Sequence, residues 1–354
     1  QCTTVNFAQL ALANLVVERE SLMLCPAGGQ PILRANAGGL RIAAGTPSLD
    51  LAGTLADTPI RIASGPVGAA YPGALSAKDL DITLGGADSA NRFTIANLDA
   101  VIGENIAGRF SDADIRLFAV PIDLTGSTGA WDYTAGVLTL SDSSFTATDR
   151  SETQRFKPLV AQGASLALAD SIVLANARLR EPASGREIVR VAIRHDLAST
   201  AGFADLTVDS LRFDSALQPE QLTEYAKGVI ANADGVITGT GRIDWNSQTV
   251  TSSGSFSSDS FDFAAAFGPV KGASGTVRFT DLLNLTTAPK QILQVASINP
   301  GIEVNNGEVL FSMREGTIVS VMGGRWPFMG GTLILEPVEL NLGESEVRAY
   351  ILTI

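Results

Sequence analysis

The sequence predicts a mainly β chain built of antiparallel meanders, with a few short helices in its C-terminal third. Three observations carry this. Short runs alternate apolar and polar residues with a period of two, each closed by Gly, Asp, Asn, Ser or Pro. The runs recur about every 8 to 15 residues, a spacing that suits hairpins rather than β-α-β units. The composition couples 45% hydrophobic residues and 35 glycines to only 6% aromatics, which describes an ordered aliphatic chain with many tight turns.

In chain order, Cys2 and Cys25 come first, with strand-like sequence between them. A disulfide there would close a loop worth about 3 kcal/mol and imply an oxidising compartment; two buried free thiols are the alternative. Alternating pairs follow at Leu40 and Ile42, Leu49 and Leu51, and Ile60 and Ile62, then Leu80, Ile82 and Leu84 around Asp81 and Thr83. Further runs lie at Ile115 and Leu117, Leu138 and Leu140, Leu166 and Leu168, Ile172 and Leu174, and Val189, Val191 and Ile193. Each has one apolar and one wet face. Parity slips between Leu206 and Val208 on one side and Leu211 and Phe213 on the other, so Asp209 and Ser210 are expected to form a turn or bulge. A helix is expected over Pro219–Ile230, where Leu222, Tyr225, Ala226, Val229 and Ile230 recur at three and four, with shorter ones over Phe261–Phe267 and Asp281–Leu285. These divide the chain into a strand-only part, 1–214, and a mixed part, 215–354, within one continuous sheet.

The net charge of -12 argues against phosphate-backbone binding, so no nucleic acid partner is expected, and it disfavours a polybasic membrane-surface face. No run approaches the roughly 18 to 20 apolar residues of a membrane span. The chain opens on QCTTVNF without a signal-type leader and stops inside the apolar run VRAYILTI, so it reads as part of a longer protein whose anchor lies elsewhere. His195 is the single histidine and reads as a solvated strand-end residue, and no GxSxG, HExxH or Walker pattern is present. Two cysteines with no nearby histidine cannot complete a tetrahedral metal site. Gly235-Val-Ile-Thr-Gly-Thr-Gly lacks the third glycine and the helix of a dinucleotide fingerprint and reads as a glycine-kinked strand. A carboxylate pair for glycan hydrolysis depends on three-dimensional separation, and none stands out.

The last third carries the most specific signal. It contains LQPEQLTEYAKGVI, ITGTGRIDW, Phe267-Gly-Pro-Val-Lys-Gly, Val277-Arg-Phe-Thr-Asp-Leu-Leu, Thr287-Ala-Pro-Lys-Gln, Asn299-Pro-Gly-Ile and Gly324-Arg-Trp-Pro-Phe-Met-Gly-Gly. Together these resemble the YdbH-like family, also labelled a dicarboxylate transport domain, among the AsmA-like bacterial envelope proteins. The likeness covers Leu217 to Pro337. The resemblance implies an elongated, curled antiparallel sheet forming an open apolar groove, held by an inner-membrane anchor in a Gram-negative periplasm. It would carry phospholipid toward the outer membrane without a covalent step or a cofactor. The dicarboxylate label would instead need convergent cations, for which Arg325 beside Trp326 is the candidate; a structural cation-π pair is the other reading.

The residues agree for a physical reason. About 22 strands at roughly 4.8 Å make a trough on the order of 100 Å long, whose one apolar surface must be filled. The expected lining is Val189, Val191, Ile193, Val277, Phe279, Leu293, Val295, Val309, Phe311, Met313, Leu333 and Leu335, with phospholipid acyl chains as the partner. Asn299-Pro-Gly and Trp326-Pro-Phe-Met-Gly-Gly are expected as shape-setting turns. The strand Val347–Ile354 is expected to offer an unpaired edge that takes a strand either from the remainder of a longer chain or from a partner protein such as an outer-membrane lipoprotein. The rival readings are a structural scaffold or adhesin with a closed β core, and a glycan-active β-solenoid.

Overall fold

A computed structural model describes the chain except residues 13, 28–29, 37–38, 88–89, 119, 153, 266–267, 300, 342–351 and 354. The first part runs β1 (Thr3–Leu12), β2 (Leu15–Pro26), β3 (Leu33–Asn36), β4 (Gly39–Thr46), β5 (Leu49–Leu55), β6 (Thr58–Ser64), β7 (Val67–Tyr71), β8 (Gly73–Leu84) and β9 (Asn91–Ile102). Then come β10 (Ile106–Arg116), β11 (Ile122–Thr134), β12 (Val137–Asp149), β13 (Leu159–Ala169), β14 (Ile172–Arg180), β15 (Glu187–Asp196), β16 (Ala201–Phe213), β17 (Ala231–Trp245) and β18 (Val250–Ala265). The last are β19 (Gly268–Asp281), β20 (Thr286–Thr287), β21 (Gln291–Ile298), β22 (Val304–Arg314), β23 (Ile318–Phe328), β24 (Gly331–Leu335), β25 (Val338–Asn341) and β26 (Leu352–Thr353).

All 26 strands belong to one antiparallel sheet, so the mainly β expectation holds. The helix expectations do not. Pro219–Ile230 holds only two 3-10 turns, Pro219–Gln221 and Glu224–Ala226. Segments this short cannot recover the cost of helix nucleation, and Thr223 caps a new turn where a helix would have continued. Residues 261–265 extend β18, with 266–267 outside the described residues, and 282–285 form a hairpin turn.

Pairings among β2, β4, β5, β6, β7 and β8 close a ring. Its register shows how. Leu15↔Leu55 and Cys25↔Gly45 lie ten residues apart on both strands, so β5 and β4 are two halves of one row. Leu49↔Ser64 and Ile42↔Tyr71 make β6 and β7 another. The same register sets Pro47 opposite Pro66, and two residues without an N–H cannot carry the ladder across. β24 and β25 likewise share one row against β23, broken at Pro337. With β3 continuing the β2 row and β21 the β20 row, the 26 strands make 21 rows, on the order of 100 Å along the sheet.

The sheet is creased lengthwise. Inward residues switch parity within single strands: Leu75 and Ala77 give way to Leu80 and Ile82, Phe110 to Ala113, Leu140 to Ser143, and Val208 to Leu211. The residues at the switches include Asp79, Asp112, Gly126, Asp142 and Gly163, all with φ between 48° and 69°. That conformation suits Gly and is tolerated by Asp. Direct pairs Ala113↔Ser127 and Ser143↔Ala164 keep successive switches adjacent, so the bulges form a line instead of scattering. Each bulge bends its strand, and together they fold the sheet along that line. The expected slip at Asp209 and Ser210 is one of them, seen as a register shift between Val208 and Leu211. Small buried residues, Ala77, Ala113, Ser127, Ser143 and Ala164, line the inside of the bend where bulk would not fit.

Cys2 and Cys25 are disulfide-bonded across the open end of the β1–β2 hairpin, next to Thr3↔Leu24. Replacing both with serine is expected to cost about 3 kcal/mol of local stability at this edge hairpin. Faster amide exchange confined to β1 and β2 would register the loss; unchanged protection there would contradict it.

Candidate functional site

Directly opposite residues of antiparallel strands share a face, which allows one face to be traced across the sheet. Leu75, Ala100, Gly108, Trp131, Leu140, Leu166, Ala175, Ile193, Ala204 and Ile243 are successive opposite partners from β8 to β17. The same face continues through Val208, Gly239, Phe256 and Val277, and through Gly275, Leu293, Val309, Gly324 and Leu335. All twelve residues expected as lining fall on this face by opposition or by alternation. Ten of them are half-buried; Val295 and Leu333 are buried within small clusters.

The other face is wet. Arg61 pairs with Asp50 at 2.7 Å, Arg92 with Asp81, Arg190 with Asp209, Arg242 with Asp205 at 2.8 Å, and Arg314 with Glu339 at 2.9 Å. Exposed pairs of this kind contribute about 0–1 kcal/mol each, so they mark the hydrated side more than they stabilise it.

The described residues expose far more surface than a compact fold would. The accessible surface is 19251 Å² for 36.8 kDa, against about 13,600 Å² for a compact monomer of that mass. Only Leu217, Val17 and Val304 are large side chains buried beyond 98% among the described residues. On the N-terminal rows Leu10, Leu33, Leu40, Ile42 and Tyr71 remain exposed on the apolar face.

Aromatic rings lie flat along the face because glycines sit beneath them. A Cβ on Gly202 would stand 2.7 Å from Trp245 Cζ2, one on Gly239 2.5 Å from Phe256 Cδ1, and one on Gly129 2.9 Å from Phe110 Cε1. A Cβ on Gly307 would overlap the Trp326 indole. The absent side chains at these glycines let the rings pack directly against the backbone of the neighbouring strand.

Several expectations need correcting. His195 is half-buried on the apolar face, where its Nδ1 accepts from Trp245 Nε1 at 3.1 Å; burial pushes the imidazole below its usual range. Arg325 and Trp326 point to opposite faces, with Arg325 across from Glu308 and Trp326 buried, so they form no cation-π pair; the structure places Arg242 over Phe203 instead, at 3.8 Å. Trp326–Phe328 belong to β23, leaving Met329 and Gly330 as the turn, and Pro300 lies outside the described residues. Of Val347–Ile354, only Leu352 and Thr353 are described, paired with Leu335 and Ile334; the rest lie outside the described residues.

Antiparallel alternation puts the turns at 56–57, 117–121, 150–158, 181–186 and 214–230 on one long edge. Those at 135–136, 170–171, 197–200, 246–249, 282–285 and 315–317 lie on the other. The edges meet at Thr58, whose hydroxyl donates to the Leu197 carbonyl at 2.7 Å. On the first edge Asp149 is a fixed anion: its side chain is inaccessible and accepts from Arg155 at 2.7 Å and from the Ser151 and Arg155 N–H groups. Burial alone would raise its pKa, but these donors outweigh it and hold the carboxyl at about 2. A depressed carboxylate adds stability above its unfolded pKa near 3.9 and loses it as pH falls through the folded value. Asp149→Asn is expected to cost roughly 2 kcal/mol at neutral pH and only a small fraction of that near pH 2, read from parallel melts. Equal costs at both pH values would show that the charge is not what matters.

The sheet thus separates a hydrated face lined by ion pairs from a face of aliphatic and aromatic residues. The YdbH-like family model, described as intermembrane phospholipid transport protein YdbH, matches residues 4–354, and the chain belongs to that family. The family's described activity is transport, not catalysis. No curated protein and no solved structure matches the chain. No helix among the described residues is long and apolar enough to cross a membrane.

Proposed function

We propose that the apolar face is a groove along which phospholipid acyl chains move between the inner and outer membranes, with no covalent step and no cofactor. What supports this is about 40% more accessible surface than a compact monomer of this mass, with apolar residues half-buried on one face from β15 to β24. Val189, Val191, Ile193, Val277, Phe279, Leu293, Val295, Val309, Phe311, Met313, Leu333 and Leu335 line the groove. Each methylene removed from water contributes about 0.8 kcal/mol, and aliphatic walls make no directional bonds, so positions along the groove have similar depth and a chain can slide among them. The setting is periplasmic, within a protein anchored in the inner membrane. Its C-terminal edge accepts a strand from an outer-membrane lipoprotein by β-augmentation.

Native mass spectrometry with lipid extraction on gently purified protein tests this. Phospholipid at more than one copy per chain is the expected result. A stable, lipid-free monomer would overturn the groove and favour a self-buried scaffold.

A further inference from the structure

Residues 214–230 leave the first long edge between β16 and β17 and return over the apolar face. Leu217, 0% exposed, packs with Leu211, Phe213 and Ala233, and Leu222 and Ile230 join the same cluster. Gln218 fixes this root: its side-chain amide donates to the Asp214 and Ala233 carbonyls and accepts from Ala233 N–H at 2.8 Å. Beyond the root the segment is held by fewer contacts. The Leu222 carbonyl accepts from Lys157 N–H at 2.7 Å, and Glu224 pairs with Lys157 Nζ at 2.8 Å. Its farthest point is Tyr225, whose Cζ lies 3.4 Å from where a Cβ on Gly316 would stand. Gly316 belongs to the β22–β23 turn, on the opposite long edge and about five rows further along.

We infer that this segment is a strap dividing the apolar face into two separate acyl-chain sites, one on the β15 side and one on the β22 side, and that phospholipid passes between them only when the strap tip lifts. The inference rests on the lipid reading above. Leu217 and Leu222 take up the position an acyl chain would need, and a fully buried Leu217 leaves no passage beneath. The tip, residues 223–227, is the part able to move, because beside the small buried Ala226 its ties to the sheet are the half-exposed Glu224–Lys157 ion pair and the Tyr225 ring contact, with one backbone hydrogen bond at Leu222 just before it, whereas Leu217, Leu222 and Ile230 are packed into the root cluster.

The test uses a photo-crosslinking amino acid at Val191 or at Phe311, in cells expressing the full-length protein, with phospholipid adducts read by mass spectrometry. In one arm Tyr225→Cys and Gly316→Cys are joined by a disulfide, or by a short bis-maleimide where the disulfide does not close. The locked strap is expected to cut adducts at least fivefold at one of the two positions while leaving the other unchanged. In the second arm Tyr225→Ala with Lys157→Ala frees the tip, and labelled phospholipid is expected to exchange between the two positions at least threefold faster. Equal labelling of both positions with the strap locked, or unchanged exchange with it freed, overturns the partition. Absence of adducts at both positions in every variant would instead sink the lipid reading.

Discussion

Phe311→Asp is expected to lower co-purifying phospholipid by tenfold or more while the sheet stays folded. Phe311 is half-buried in β22, opposite Gln291 and Val321. A carboxylate there keeps water in the empty groove, so the folded state loses only part of a ring's burial, about 1–2 kcal/mol. With an acyl chain bound, that water has to leave an unpaired charge, and the cost rises to several kcal/mol. The substitution therefore acts on the loaded state. Val295→Asp makes the contrast: Val295 is 5% exposed against Val270 and Ala273, and a charge there is expected to unfold the region whether or not lipid is present. Lipid extraction beside thermal melts of both variants decides the matter. If Phe311→Asp unfolds as Val295→Asp does, the face is closed in solution; if it folds and keeps its lipid, the ligand lies elsewhere.

The alternation that made Leu80, Ile82 and Leu84 or Val189, Val191 and Ile193 legible in the sequence is local, and so it carried through to the sheet. The parity slip at Asp209 and Ser210 was legible for the same reason: large apolar residues stand on both sides of it. The same slip at Asp112 and Asp142 was not, because the inward residues beyond it are Ala113 and Ser143, too small and too ambiguous to announce a face. That these slips line up as a crease is a property of inter-strand register, which no single strand encodes. The strap failed differently. Leu222, Tyr225, Ala226, Val229 and Ile230 have helical spacing, but Leu222 and Ile230 pack on Leu211 and Phe213 of the sheet, Tyr225 reaches Gly316 across it, and the Lys157 N–H takes the Leu222 carbonyl that a helix would have satisfied internally. Gln-Pro at its start and Gly228 near its end were the available signals of irregular chain. Which residues share the apolar face was readable because an apolar face on a wet-backed strand has one direction to point; whether that face is covered was not, since coverage depends on what returns over it.

Gly307→Val is expected to be among the most destabilising single substitutions on the sheet, at about 3 kcal/mol or more, although glycine to valine in a strand ordinarily helps. The Trp326 indole lies flat over Gly307 and is 3% exposed, packed with Val304 and Leu333. A Cβ at 307 occupies the indole's own position, and a backbone atom on a paired strand cannot retreat as a flexible side chain would. The ring has to leave the floor, taking the cluster with it. Trp326→Ala alone should also cost about 3–5 kcal/mol, by cavity formation. The informative quantity is the pair: with the indole gone, valine at 307 fills vacated space, so Gly307→Val added to Trp326→Ala should cost little further, giving strong non-additivity between the two sites. Denaturant melts of the four proteins measure it, with indole fluorescence in Gly307→Val shifting to the red as Trp326 meets water. Additive losses would mean that the glycine is needed for its backbone alone and not for the seat it gives the Trp326 indole.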